Sequence, residues 1–286
     1  MSSRRQRLGF WLITCFVGLA ACRSAPQHLR PPQTNSTPQI VENTPPPYRP
    51  APYSTPANET VVGPGWTLRT KKFKEVSHRW KYSLEGQFPR IENTRDRRAL
   101  KFNREIKRRI AKQYVGATQP NLKDFRDQVR AFPKEDPLET AEFDYEIMYS
   151  NDAVLSIRFH DITYSRGAAH PLESFFTLNY ALTSGRIFRL KDVFKPKLRF
   201  KAKLEQLCDQ KLADMRIYAL FPESMSNELR NYDEWNITSE GLVMNFDRCN
   251  VAACAYGEIS IVIPYQNLRP LLNQRSPAYK ISSAKP

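Results

Sequence analysis

The chain has few of the residues on which most enzymes rely. Four histidines occur in 286 residues, at 28, 78, 160 and 170. None stand in a His-x-x-x-His or His-Glu-x-x-His spacing, so a helical zinc pair is excluded. Ten glycines form no phosphate-cradling loop, so neither a nucleotide nor any other cofactor is expected. There is no Gly-x-Ser-x-Gly elbow and no Cys-x-x-Cys, and the cysteines have no neighbouring His, so no metal site is expected. Acidic residues are also scarce, 29 against 44 Lys and Arg. After Cys22 no apolar run approaches the ~20 residues of a membrane-crossing helix.

What is present begins at the N-terminus. Arg4, Arg5 and Arg7 precede an apolar run from Leu8 to Leu19, which ends in Leu19-Ala20-Ala21-Cys22. A basic start, a short apolar segment and small residues before a cut make an export signal. The cysteine after Leu-Ala-Ala resembles the lipobox of bacterial lipoproteins, which implies removal of residues 1–21 and acylation of Cys22. Residues 22–65 follow as a tether. Eleven of the 22 prolines fall between 23 and 65, and such a stretch favours solvated polyproline II over a packed core. A domain over 66–276 and a tail over 277–286 complete the expected organisation.

The formal charge is +15, and about +11 of it remains beyond residue 65. A field of this sign attracts polyanions. Export makes nucleic acid the wrong partner and points to acidic glycans or anionic lipids of the envelope. Three cysteines remain for the domain. Cys249 and Cys254 bracket one short loop and are the candidate disulfide, while pairing of either with Cys208 stays open.

Periodicity predicts an α+β fold with antiparallel sheet and two main amphipathic helices, possibly in two small halves. Ala99, Phe102, Ile106 and Ile110 mark the first helix, whose opposite face carries Arg97, Arg98, Lys101, Arg104, Lys107, Arg108 and Lys112. Leu204, Leu207, Cys208, Leu212 and Met215 mark the second. Alternation predicts a strand from Trp80, broken at Gly86 and ended by Phe88-Pro89, and others over 143–149, 155–164, 176–182, 242–246 and 259–263. The apolar phase slips after Phe159, which suggests a bulge near His160-Asp161.

Several stretches, in order, carry a resemblance. They are Phe88-Pro89-Arg90-Ile91, Gly167-Ala168-Ala169-His170-Pro171, Thr177-Leu178-Asn179, Ser184-Gly185-Arg186 with Leu190 to Phe194, Glu240 to Val243, and Gly257-Glu258-Ile259 with Ile263-Pro264-Tyr265. Over residues 70–275 the chain resembles the extracytoplasmic region of anti-sigma-V factors. It is also similar to the non-catalytic region of peptidoglycan N-acetylmuramic acid deacetylase C. The first likeness implies a lysozyme-binding region, the second a region that accompanies a glycan-modifying enzyme. Neither a deacetylase domain nor a sigma-binding segment is expected from these residues.

The resulting expectation is a non-enzymatic, membrane-anchored protein of the envelope that binds an anionic glycan or cell-wall component. Contacts are expected from Arg104 and Arg108 on the first helix, from Arg158, and from Arg166, Gly167, Ala168, Ala169, His170 and Pro171. Alternatives are a sensor or inhibitor that binds a lysozyme-like protein, and a wall hydrolase using His160, Asp161 and His170.

Overall fold

The computed structural model describes residues 59–114, 121–217 and 232–283. Cys22, the export signal and most of the tether lie outside them.

Seven strands form one sheet in chain order: β1 (Glu59–Val62), β2 (Trp66–Ser77), β3 (Tyr82–Glu92), β4 (Glu139–Ser150), β5 (Val154–Ser165), β6 (Leu172–Ala181) and β7 (Arg186–Ile187). All neighbours are antiparallel except β3 and β4. The parallel pair is joined through two helices, α1 (Arg97–Gln113) and α2 (Leu122–Ala131), as parallel strands require a long crossover. The remaining chain adds α3 (Leu190–Val193), α4 (Phe200–Asp214), a three-stranded antiparallel sheet of β8 (Trp235–Ile237), β9 (Gly241–Phe246) and β10 (Ile259–Pro264), then α5 (Tyr265–Leu268) and α6 (Pro277–Ser283). The fold is α+β, with a large, mostly antiparallel sheet. A disulfide joins Cys249 to Cys254 in the β9–β10 connection, and Cys208 is a buried thiol.

Two apolar cores result. The first lies between α1 and the large sheet. Ala99, Phe102 and Ile106, at helical spacing, pack on Tyr145, Phe159 and Tyr180. Asp96 caps this helix by accepting from the Arg98 N–H at 2.8 Å. The second core gathers α4, the small sheet and α6 around Leu204, Trp235, Phe246 and Leu268.

The body is larger than the 66–276 read from the sequence. β1 pairs with β2 from Glu59 on, and α6 buries Ala278 in the second core. Three further expectations differ from the structure. β3 continues through Gly86, Phe88 and Pro89 to Glu92. A third sizeable helix, α2, has no fully buried residue; its ring contact, Phe125 edge-on to Trp80 at 5.5 Å, is too little to set a readable stripe. Finally, β5 pairs without interruption through His160-Asp161, and the irregularity lies in β4 between Ile147 and Tyr149. The apparent phase slip is a buried carboxylate. Asp161 takes the core-facing position after Leu155, Ile157 and Phe159, and is itself 1% exposed. Gln113 and Ser174 supply hydrogen bonds to it at 2.8–3.2 Å, which makes that burial tolerable.

Candidate functional site

The two cores meet along a polar seam, because the face of β5 and β6 opposite α1 carries hydrogen-bonding side chains. Ser156 donates to Asn179 at 2.7 Å. Asn236 donates to Ser156 at 2.9 Å and to the Ile157 carbonyl at 3.0 Å. Asn179 donates to the Trp235 carbonyl at 2.7 Å, and the Ile237 N–H donates back to Ser156 at 3.1 Å. Asn245 continues the chain to Asn236 at 3.0 Å. These groups satisfy one another across the sheets, so a buried polar layer costs little and fixes one docking register.

This seam absorbs Arg158. Its guanidinium is ion-paired with Glu146 and donates to Ser260 at 2.8 Å and Asn245 at 3.3 Å, with the side chain only 13% exposed. It is turned inward, away from the Gly167 loop. Arg166 stays at the surface, paired with Glu135 at 2.9 Å. Gly167 to Pro171 are all exposed. Gly167 adopts φ +94°, and a Cβ there would stand 2.8 Å from the Phe132 ring, so glycine is required by both backbone and space. His170 places Nδ1 2.9 Å from the Pro171 carbonyl. His160, Asp161 and His170 do not converge. His160 and Asp161 point to opposite faces of β5, and His170 sits in the exposed loop. On α1, Arg108 is held by Glu105 at 2.6 Å, whereas Arg104 and Lys107 flank a shallow recess with Phe88, Pro89 and Arg90.

His160 reaches Glu258, 3.4 Å away in the β9–β10 connection. Burial acts to lower its pKa, but the Glu258 carboxylate, with the charges of Glu173 and Asp161, raises it overall. Burial also raises Asp161, Glu234 and Asp247. A raised folded-state pKa gives stability that is complete below the unfolded value and lost as pH climbs through the folded one. For His160 that loss begins near 6.5; for the carboxylates it lies lower. Thermal melts between pH 6 and 8.5 are therefore expected to show stability falling with pH, and His160→Gln to flatten that slope. A rise in stability across the interval would contradict the assignment.

Two cavities are shaped to accept a ligand. One is a groove of about 470 Å³ where α1, α3 and α4 meet β6 and β8. Arg109, Arg189, Lys191 and Lys201 line it beside Phe188, Phe200 and Trp235, against a single carboxylate, Asp233. Arg109 is partly neutralised by Glu105 at 2.9 Å and donates to the Thr177 carbonyl. Arg189, Lys191 and Lys201 are exposed and make no ion pair with a described residue. Sequence periodicity does not reveal this groove. Its cations come from three separate helices, and the short α3 has no stripe of its own. The other cavity, a cleft of about 600 Å³, is lined by β2 to β5. Among the described residues no His, Cys, Asp and Glu group is arranged to hold a metal, and no helix is long and apolar enough to cross a membrane.

Comparison with known proteins follows the same division. The chain is similar to a DUF3298 protein from Bacteroides fragilis NCTC 9343, at 15% identity and TM-score 0.59 over 79% of this chain and all of that one. A DUF3298 protein from Pseudomonas aeruginosa PAO1 matches at 13% identity and TM-score 0.51, over 74% of this chain and 96% of that one. At these identities the likeness is one of fold. No curated protein matches the sequence. A match to the PdaC model over residues 76–173 fits a protein of the cell envelope. The resemblance read from the motifs is shown by two family profiles: residues 76–173 match Deacetylase PdaC, and residues 191–266 match a protein family of unknown function, DUF3298.

Proposed function

We propose that the chain is a lipoprotein of the cell envelope, anchored through Cys22, that binds an anionic glycan of the wall or surface without transforming it. The observation that carries this reading is the groove around Arg189, Lys191 and Lys201. Three exposed cations without ion-pair partners among the described residues stand beside three aromatic rings. Carboxylate or phosphate groups of a polymer meet the cations, while sugar rings lie against Phe188 and Phe200, the half-buried rings of the groove. Arg104 and Lys107, exposed at a separate recess on α1, are further cations for a longer polymer to meet.

The test is titration of the chain with an oligosaccharide of hexuronic acids at two salt concentrations. Binding is expected to weaken as salt rises. The triple variant Arg189→Gln, Lys191→Gln, Lys201→Gln is expected to lose at least about tenfold in affinity, since three exposed charges at ~0.5–1 kcal/mol each exceed the 1.4 kcal/mol of one decade. Equal binding by an uncharged oligosaccharide, or by the triple variant, would sink the reading. The anchor is checked separately, by fatty-acid labelling that Cys22→Ser abolishes.

A further inference from the structure

The 600 Å³ cleft takes no part in the groove just described, and its charges are arranged differently. Strand register carries two rows of side chains across it. Lys74 pairs in register with Glu85, which stands beside Glu142, which faces Ile162. Lys72 pairs with Gln87; one step past the Gly86–Phe143 pairing comes Asp144, which faces His160. The lysines therefore lie on β2 and the carboxylates on β3 and β4, with His160 on β5 beyond them.

The charges within the cleft are unequally engaged. Lys74 is held by Glu85 at 2.7 Å. Lys72 and Glu142 are exposed and have no ion pair with a described residue. Asp144 accepts from the Tyr145 N–H at 2.6 Å through one oxygen. The floor is apolar. Phe73 and Phe143 meet at 5.1 Å, and Gly86 between them is bare. A Cβ on Gly86 would stand 2.3 Å from the Phe143 carbonyl oxygen, so only glycine lets β3 pass this close to β4.

A simple anion entering this cleft meets three carboxylates, and a simple cation meets two lysines. A ligand with one charge of each sign, suitably spaced, meets neither penalty. Strands lie about 4.8 Å apart, so the two walls are separated by about 10 Å, and an extended peptide rising ~3.3 Å per residue covers that distance in about three residues. We propose that the cleft binds a short peptide with both termini free, about three residues long, its ammonium on Glu142 and Asp144 and its carboxylate on Lys72.

The experiment is calorimetric titration of the full-length chain with trialanine, N-acetyl-trialanine and trialanine amide. Trialanine is expected to bind, and capping either end to weaken it at least about tenfold, one decade of affinity. Lys72→Gln is expected to remove the penalty of the C-terminal amide alone. Glu142→Gln with Asp144→Asn is expected to remove that of the N-terminal acetyl group alone. A merely misfolded variant would not produce this crossed pattern. The triple groove variant is expected to bind trialanine as the parent does, so this proposal and the glycan reading fail independently. No saturable binding of trialanine, or equal binding of all three peptides, overturns it.

Discussion

Arg158→Ala is expected to cost about 3–5 kcal/mol of folding stability, because it leaves a largely buried carboxylate without its counter-charge. Glu146 is 15% exposed and lies across the β4–β5 register from Arg158. The same guanidinium also satisfies Ser260 and Asn245 at the end of the seam. Removing it therefore strips one buried charge and opens the hydrogen-bond chain that joins the two cores. Urea unfolding of Arg158→Ala and of Arg158→Met with Glu146→Met separates the two effects. The double variant is expected to recover most of the loss, since an apolar pair of similar volume removes the stranded charge. If Arg158 instead served a ligand, the single variant would keep its stability and lose binding. Intact stability in Arg158→Ala would return this residue to the list of ligand contacts.

The misreading of Arg158 has a definite cause. In the sequence it is an arginine two residues before His160 and nine before Gly167 of the small-residue loop. Its partner, Glu146, is twelve positions back on the neighbouring strand, and nothing in local spacing reveals that pairing. Asp161 misled in a similar way. A carboxylate at a core-facing position looks like a change of phase, because alternation counts apolar residues and cannot see Gln113 arriving from the end of α1. By contrast, α1 and α4 were legible, since each buries one regular face. The polar strands β1 and β2 were not. They lie at the sheet edge with largely exposed residues, so little hydrophobic pattern is imposed on them. Both cavities were invisible for a further reason. Their walls are assembled from strand register and from helices far apart in the chain, and an unfilled space leaves its mark only at residues such as Gly86.

Phe102→Ala should have an effect of similar size by a different route. The ring is fully buried and packs edge-on to Tyr180 at 5.3 Å. Its removal is expected to cost about 3–5 kcal/mol through lost burial and the cavity left behind. The neighbouring cations Arg104 and Lys107 face solvent, and replacing either by Ala is expected to change stability by no more than about 0.5 kcal/mol. This contrast follows from how α1 is attached. Asn103 makes two hydrogen bonds to the Ile91 backbone, at 2.8 and 2.9 Å, and the Tyr180 hydroxyl donates to the Arg98 carbonyl at 2.8 Å. Those bonds orient the helix, but Phe102, with Ala99 and Ile106, supplies the apolar contact that holds it down. Arg109 stands two turns further along and reaches the Thr177 carbonyl at the wall of the cationic groove. Loosening Phe102 should therefore weaken glycan binding as well as folding, whereas loss of Arg104 should touch binding alone. Denaturation and titration of the two variants side by side check both statements. A Phe102→Ala protein that unfolds like the parent would mean that α1 is not anchored through this ring.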